Sequence, residues 1–220
     1  MALITPIKTP LVVKKMFPNY IWDIASTSKT IYLTFDDGPT PEITNWTLQT
    51  LEKFNAKATF FCIGNNVDKH PDIFQNIVKA GHAIGNHTHN HIKGWKTKAE
   101  AYIENIELCE SEFKNQIPNN QSLTTNLFRP PYGQISPKQG KLLRSKGYKI
   151  IMWDILSFDW DANVSKETCL DNVIKKTSDG SVVVFHDSIK ASENMQYVLP
   201  KVLEYFNEKG YCFKALNWTV

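Results

Sequence analysis

Apolar positions recur along the chain in two periods, and their alternation is the first structural signal. Short apolar runs bounded by turn residues predict strands at Thr30–Phe35, Ala58–Cys62, His82–Asn86, Leu127–Arg129, Lys149–Trp153, Ser181–His186 and Tyr211–Ala215, seven in all. Helical spacing fills the intervals. Thr40 and Pro41 supply an N-cap and a first-turn proline ahead of Leu48, Leu51 and Phe54, and Pro71 opens a helix carrying Ile73, Phe74, Ile77 and Val78 that Gly81 closes. Thr97 with Glu100 reads as a capping box before the stripe Ala99, Tyr102, Ile103, Ile106, Cys109 and Phe113. Ser136, Pro137 and Gly147 bracket a further helix, and Met195, Val198, Leu199, Val202, Leu203 and Phe206 form a last stripe in which Pro200 either starts or kinks the helix.

Strand followed by helix, repeated, calls for parallel strands joined by right-handed crossovers. Neither G-x-G-x-x-G nor G-x-x-x-x-G-K-[ST] is present, which weakens a nucleotide-binding open sheet. Polar residues able to do chemistry fall at the carboxyl ends of several different strands, where barrel enzymes build their sites. The expected fold is therefore an α/β barrel in one domain, with residues 1–29 as an extension packing on it.

Composition narrows the function classes. With 25 Lys and Arg against 22 Asp and Glu, the net charge of +3 over 220 residues gives no basic arm for nucleic acid. The longest run free of charged residues, Asn115–Phe128, is polar and far short of the ~20 apolar residues a membrane helix needs. Pro6, Lys8 and Pro10 break the apolar core a secretory signal requires, and the four cysteines show no C-x-x-C spacing and sit in apolar segments, so reduced core thiols and a cytoplasmic location are expected.

Candidate chemistry begins at Thr34-Phe35-Asp36-Asp37-Gly38-Pro39, a strand ending in adjacent carboxylates. Asp-Gly-Pro is also ordinary turn chemistry. The functional reading is that one carboxylate ligates a metal while the other reaches a water. In Gly85-Asn86-His87-Thr88-His89-Asn90-His91, His87 and His91 stand four apart, so one helical turn would bring both rings to a single ion. His89 would face away, and both it and His82 read as solvated or supporting residues; a plain polar loop remains the competing reading. Arg129, before Pro130-Pro131-Tyr132, could hold a carboxylate ionised or be a surface charge. Asp159-Trp160 and Val184-Phe185-His186 end two further strands, and an Asp beside an imidazole is a general-acid arrangement.

Taken together, TFDDGP, HTHNH, RPPY, Asp159-Trp160 and VFH resemble, in order and spacing, the polysaccharide deacetylases of the NodB type, carbohydrate esterase family 4, from about Thr30 to the carboxyl terminus. The resemblance implies a distorted (β/α)7 TIM-like barrel over residues 30–220 that removes acetyl groups from carbohydrate with one divalent metal, zinc first, with cobalt, nickel or manganese as alternatives. It implies Asp37, His87 and His91 as metal ligands, Asp36 as base and Arg129 as the residue holding it. It further implies Tyr132 as the source of an oxyanion N–H, Asp159 as partner of the acid His186, and Trp160 with Val184 as the acetyl-pocket wall. Leu156 departs from the family's D-x-x-D-W, leaving Asp154 two residues out of place, and Val184 replaces the usual leucine. The expected partner is an acetylated, N-acetylglucosamine-containing glycan, with no nucleic acid or membrane; the oligomeric state is not legible. An O-acetyl (xylan-type) esterase, a non-sugar amide hydrolase and an inactive glycan-binding module are the rival readings.

Overall fold

The computed structural model describes residues 6–26, 28–117 and 126–216. In chain order the elements are α1 (Leu11–Met16), β1 (Thr30–Asp36), α2 (Ile43–Lys53), β2 (Thr59–Cys62), α3 (Gly64–Lys69), α4 (Pro71–Lys79), β3 (Ala83–Asn86), α5 (Ala99–Gln116), β4 (Leu127–Phe128) and α6 (Pro137–Ser145). There follow β5 (Lys149–Ile150), β6 (Ile155–Leu156), α7 (Lys166–Ile174), β7 (Val182–His186), α8 (Ser192–Glu208) and β8 (Cys212–Phe213). Every strand pairing is parallel, in the order β5-β4-β3-β2-β1-β7-β6, with β8 paired to β1 off that path. The sheet curls into a half-barrel with helices around it, the α/β single-domain fold expected. The seven expected strands are present, most of them shorter, and Ile155–Leu156 adds an eighth.

Period-2 alternation decides which side chains face the barrel interior. On β1, Ile31, Leu33 and Phe35 join Phe60, Val183 and Phe185 in the main core beneath α2, α4 and α8, with the Phe35 ring stacked 5.0 Å from Phe60. The intervening Thr34 and Asp36 therefore point inward. Asp36 is in register with His186 of the adjacent β7, so the two side chains leave the same face of the sheet, side by side at its carboxyl edge.

Two end strands, β5 and β6, are consecutive in the chain yet lie at opposite ends of the sheet order, and the segment before β1 pairs with both. Ile21 donates to Ile150 O and accepts from Met152 N, while Leu156 N donates to Ile7 O and Thr9 N to Asp154 O. Asp154, buried in the β5–β6 connection, takes Lys14 at 2.6 Å, Lys8 at 2.8 Å and the Ser181 hydroxyl at 2.6 Å. The carboxylate that stands out of family register is thus satisfied by the N-terminal segment.

Several local expectations are corrected. Helix α2 starts at Ile43, with Glu42 rather than Thr40 at its N-cap; the Thr40 N–H instead donates to the Thr44 hydroxyl. The Thr97–Glu100 capping box does not form, because Thr97 donates to Lys93 O and Glu100 pairs with Lys138. A capping box forms at α6 instead, between Ser136 and Gln139. Of the two positions expected for Pro200, it takes the interior of α8 and not its start. Cys62, Cys109 and Cys169 are buried free thiols as expected, but Cys212 is exposed, because it sits on the outward face of β8 at the margin of the sheet.

Candidate active site

The site grows from the end of β1. Arg129 is fully buried, an expensive place for a charge unless every donor is used. Its Nη1 donates to Asp36 Oδ1 and to Thr34 Oγ1, both at 2.7 Å; its Nη2 donates to Met152 O at 2.9 Å and its Nε to Ile151 O at 3.3 Å. The guanidinium also lies 4.1 Å over the Phe61 ring. Arg129 is therefore not a surface charge. It fixes one oxygen of Asp36, whose side chain lines a cleft.

The next residue turns the chain. Asp37 has φ +78°, a left-handed conformation rare outside glycine, and its carboxylate swings away from that of Asp36 toward two imidazoles. Oδ1 of Asp37 lies 3.2 Å from His91 Nε2 and 3.7 Å from His87 Nε2. His87 and His91 do come together, with ring centroids 5.1 Å apart, but not on a helical turn. The intervening chain is a loop with Thr88 at φ +64° and His91 at φ +51°, anchored where Asn105 Oδ1 accepts from the N–H groups of His89 and Asn90. His89 does face away, against Gly64, and its Nδ1 is buried without a protein partner. His82 is buried at the far end of β3, where its Nδ1 accepts the Ala58 N–H and burial lowers it to about 4, so it is neither solvated nor near the site.

Donor chemistry at the trio fits a divalent cation. Asp37, His87 and His91 each offer a ligand atom, all within 4.8 Å of one another, against the ~4 Å that two bonds of ~2.0–2.2 Å to one ion permit. The Nδ1–H of His87 donates to Arg129 O at 2.7 Å, which leaves Nε2 as the free lone pair on the Asp37 side. Burial holds His87 down at about 4, so its imidazole is neutral and able to ligate near pH 7. Burial alone would raise Asp37, but His91, His186 and His87 override it and hold the carboxyl well below the usual carboxylate range.

The same cleft holds a carboxylate–imidazole pair, Asp159 and His186. Asp159, buried, accepts His186 Nδ1–H at 2.9 Å on Oδ1 and the His186 main-chain N–H at 2.7 Å on Oδ2, which fixes both ring and backbone. Burial disfavours the imidazolium, yet the charge and hydrogen bond of Asp159, with Asp37 and Asp36 beyond, raise His186 to about 9. Trp160 packs edge-on against His186 at 4.7 Å and stacks on Phe158 at 5.0 Å.

A cleft of about 460 Å³ brings these groups into one space, lined by Asp36, Asp37, His87, His91, Tyr132, Trp160, Val184 and His186 among others. Arg129 and Asp159 stand behind the lining, each bonded to a residue in it. Tyr132 is exposed at the rim, its ring tilted against His91 with centroids 4.6 Å apart, in a turn with φ +58° followed by Gly133 at φ +66°. Leu156 also lines the cleft, so the departure from D-x-x-D-W makes that wall apolar. Sequence reading assigned no role to Asp187 and Thr44, which hold the β1 turn from behind, because the pairing of β7 with β1 joins residues far apart in the chain.

A profile described as polysaccharide deacetylase matches residues 23–151, more than half of the chain. A peptidoglycan-N-acetylglucosamine deacetylase of Bacillus cereus is 34% identical over 198 residues, covering 89% of this chain and 90% of that protein. The chain belongs to the polysaccharide deacetylase family. Chitin deacetylase 2 of Saccharomyces cerevisiae is 32% identical over 187 residues, which cover 82% of this chain and 57% of that one. Among solved structures, that of the Bc1960 peptidoglycan N-acetylglucosamine deacetylase in complex with 4-naphthalen-1-yl-N-oxidanyl-benzamide superposes with a TM-score of 0.84 at 31% identity, over 94% of this chain and 95% of the other. As a member of this family the chain is a hydrolase acting on N-acetyl amide bonds of polysaccharides. No helix among the described residues is long and apolar enough to cross a membrane.

Proposed function

We propose that the protein hydrolyses the N-acetyl group of N-acetylglucosamine units in an oligo- or polysaccharide, peptidoglycan or chito-oligosaccharide, giving acetate and a free amino sugar. The observation that carries this reading is the pairing of two differently supported groups in one cleft: Asp36 held by a buried arginine, and His186 held by a buried aspartate, with the Asp37–His87–His91 trio beside them. Asp37, His87 and His91 would hold the divalent ion, zinc by their nitrogen and oxygen donors, with cobalt, nickel and manganese as alternatives. When bound, such an ion supplies Lewis-acid polarisation of a carbonyl and acidification of a water.

The chain's own groups do the rest. Asp36, held in place by Arg129, accepts the proton of the water that attacks the acetyl carbon, so a C–O bond forms as the carbonyl π pair moves onto oxygen. In the turn that follows Arg129, the Tyr132 main-chain N–H donates to that oxygen. When the C–N bond breaks, its pair goes to nitrogen, and His186, charged near pH 7, supplies the proton that lets the amine depart. Asp159 orients and charges His186, while Trp160 and Val184 bound the space for the acetyl methyl. Four free thiols, three of them buried, support a reducing compartment, the cytoplasm.

Acetate release from chito-oligosaccharide, peptidoglycan fragments and acetyl xylan, measured in parallel, tests the reading. Turnover of the first two above the third is expected. Faster turnover of acetyl xylan would reassign the protein as an O-acetyl esterase, and binding of all three without turnover would reassign it as a glycan-binding module.

A further inference from the structure

One buried carboxyl next to the site has no part in the chemistry above. Asp187 follows His186 and, by strand alternation, leaves the opposite side of the sheet, toward α2 rather than the cleft. It has no exposure to solvent. Its Oδ1 accepts the Gly38 N–H at 3.1 Å, its Oδ2 accepts the Thr44 hydroxyl at 2.5 Å, and its own N–H donates to Asp36 O at 3.1 Å. Thr44 in turn accepts the Thr40 N–H at 2.7 Å. From the other side Asn66 Nδ2 donates to Asp37 O at 2.8 Å and Ile63 N to Gly38 O at 2.9 Å. The main chain from Asp36 to Thr40 is therefore gripped at nearly every residue, and Asp187 makes three of the contacts directly or through Thr44.

A grip of this kind has a purpose at one residue. Asp37 occupies the left-handed region at φ +78°, a conformation that costs a non-glycine residue free energy and persists only where its surroundings over-determine it. That conformation is what parts the carboxylates of Asp36 and Asp37. We propose that Asp187 is a positioning residue that fixes the left-handed turn at Asp37, and with it the aim of the metal-ligating carboxylate, through Gly38 and Thr44.

Space at the turn agrees. A methyl group on Gly38 would lie 2.1 Å from Asp187 Oδ2 and 2.6 Å from its Oδ1, so the chain and the carboxyl fit against each other with nothing between. Gly38 does not need its freedom of φ, since it is absent from the positive-φ glycines; it is small because Asp187 is there. Burial raises the Asp187 carboxyl to about 8, against the Thr44 hydrogen bond, so the fold accepts a group at odds with its surroundings at this place.

The inference rests on Asp37 being a metal ligand, and its test is metal affinity rather than turnover. Zinc dissociation constants of the metal-free protein are measured by competition with a chelator, beside thermal melts, for Asp187→Ala, Asp187→Asn, Thr44→Val, Gly38→Ala, the Gly38→Ala/Asp187→Ala double variant and Asp37→Ala. Loss of a group that orients a metal ligand weakens binding about 10-fold or more, so Asp187→Ala is expected to bind zinc about 10-fold more weakly and Thr44→Val several-fold. Asp187→Asn keeps an oxygen for Gly38 N–H and should stay near wild type. Gly38→Ala should weaken binding by itself, but cost little further in the Asp187→Ala background, where its methyl has room. Wild-type affinity in Asp187→Ala or, should that variant not fold, in Thr44→Val would overturn the inference, even with a lowered melting temperature. So would equal losses in Asp187→Asn and Asp187→Ala, since the amide keeps the oxygen that accepts the Gly38 N–H, or Gly38 and Asp187 effects that simply multiply. Unchanged affinity in Asp37→Ala would instead overturn the ligand assignment itself.

Discussion

Replacing Asp159 by asparagine changes almost no volume, yet it removes the charge that sustains His186 as an acid. In the folded protein His186 rises from its ordinary 6.5 to about 9 although burial opposes the rise, and Asp159 is the foremost of the groups that lift it. The difference corresponds to about 3 kcal/mol in favour of the imidazolium, at about 1.4 kcal/mol for each tenfold change in proton affinity. The amide of Asp159→Asn can accept the ring N–H or the main-chain N–H of His186, but not both, since its second terminal atom is a donor. With burial left unopposed by that charge, the imidazolium is no longer favoured, and the alkaline limb of kcat/KM should fall by about 2 pH units. A divalent ion held at Asp37 would neutralise part of the remaining lift in both proteins, so the displacement between them, not the absolute position, is the quantity to read.

The same group leaves a mark on stability. A raised folded-state value means that His186 contributes stability fully below about 6.5, where it is protonated both folded and unfolded, and that this contribution is lost as pH rises through about 9. Denaturation of metal-free wild type and Asp159→Asn across that window should show the gap between them closing with rising pH. An alkaline limb that does not move, with a stability gap independent of pH, would refute Asp159 as the source of the charge on His186.

Further outcomes follow from the same geometry. Arg129→Met should abolish turnover and destabilise the protein by about 3–5 kcal/mol in denaturant titrations, because the buried Asp36 carboxylate and the main-chain oxygens of Ile151 and Met152 lose their donors. Asp154→Ala, which takes from Lys8 and the largely covered Lys14 the carboxylate they share and leaves Lys14 only the exposed Asp23, should cost about 2–3 kcal/mol and expose the segment before β1 to limited proteolysis. A thiol reagent added to the native protein should label Cys212 alone, and unfolding should release Cys62, Cys109 and Cys169, as counted by mass spectrometry.

What was legible in the sequence follows the range of the physics involved. The strands β2 and β7 are near-continuous apolar runs because both of their faces are covered, and such runs announce themselves. Arg129 was legible as a choice between a surface charge and a carboxylate's partner, and only its burial decides between them. Thr97 and Glu100 had the spacing of a capping box but found Lys93 O and Lys138 as partners, so local chemistry lost to tertiary contacts. His87 and His91 were paired by counting along a helix that does not exist; a loop with two left-handed residues brings them equally near. The two-residue strand β6 depends on pairing with β7 some 28 residues on, and the grip of the N-terminal segment on Asp154 on contacts more than a hundred residues apart, so no short window along the chain contains them.

The central claim is that Asp36 activates water beside an ion held by other residues. Acetate released from a chito-oligosaccharide by Asp36→Ala, with metal content measured in the same preparation, tests it most directly. The expected result is a variant that carries the wild-type amount of metal and has lost at least ~10²-fold in turnover, the lower end of what a general base contributes. A metal-loaded Asp36→Ala that turns over as fast as wild type would contradict the account.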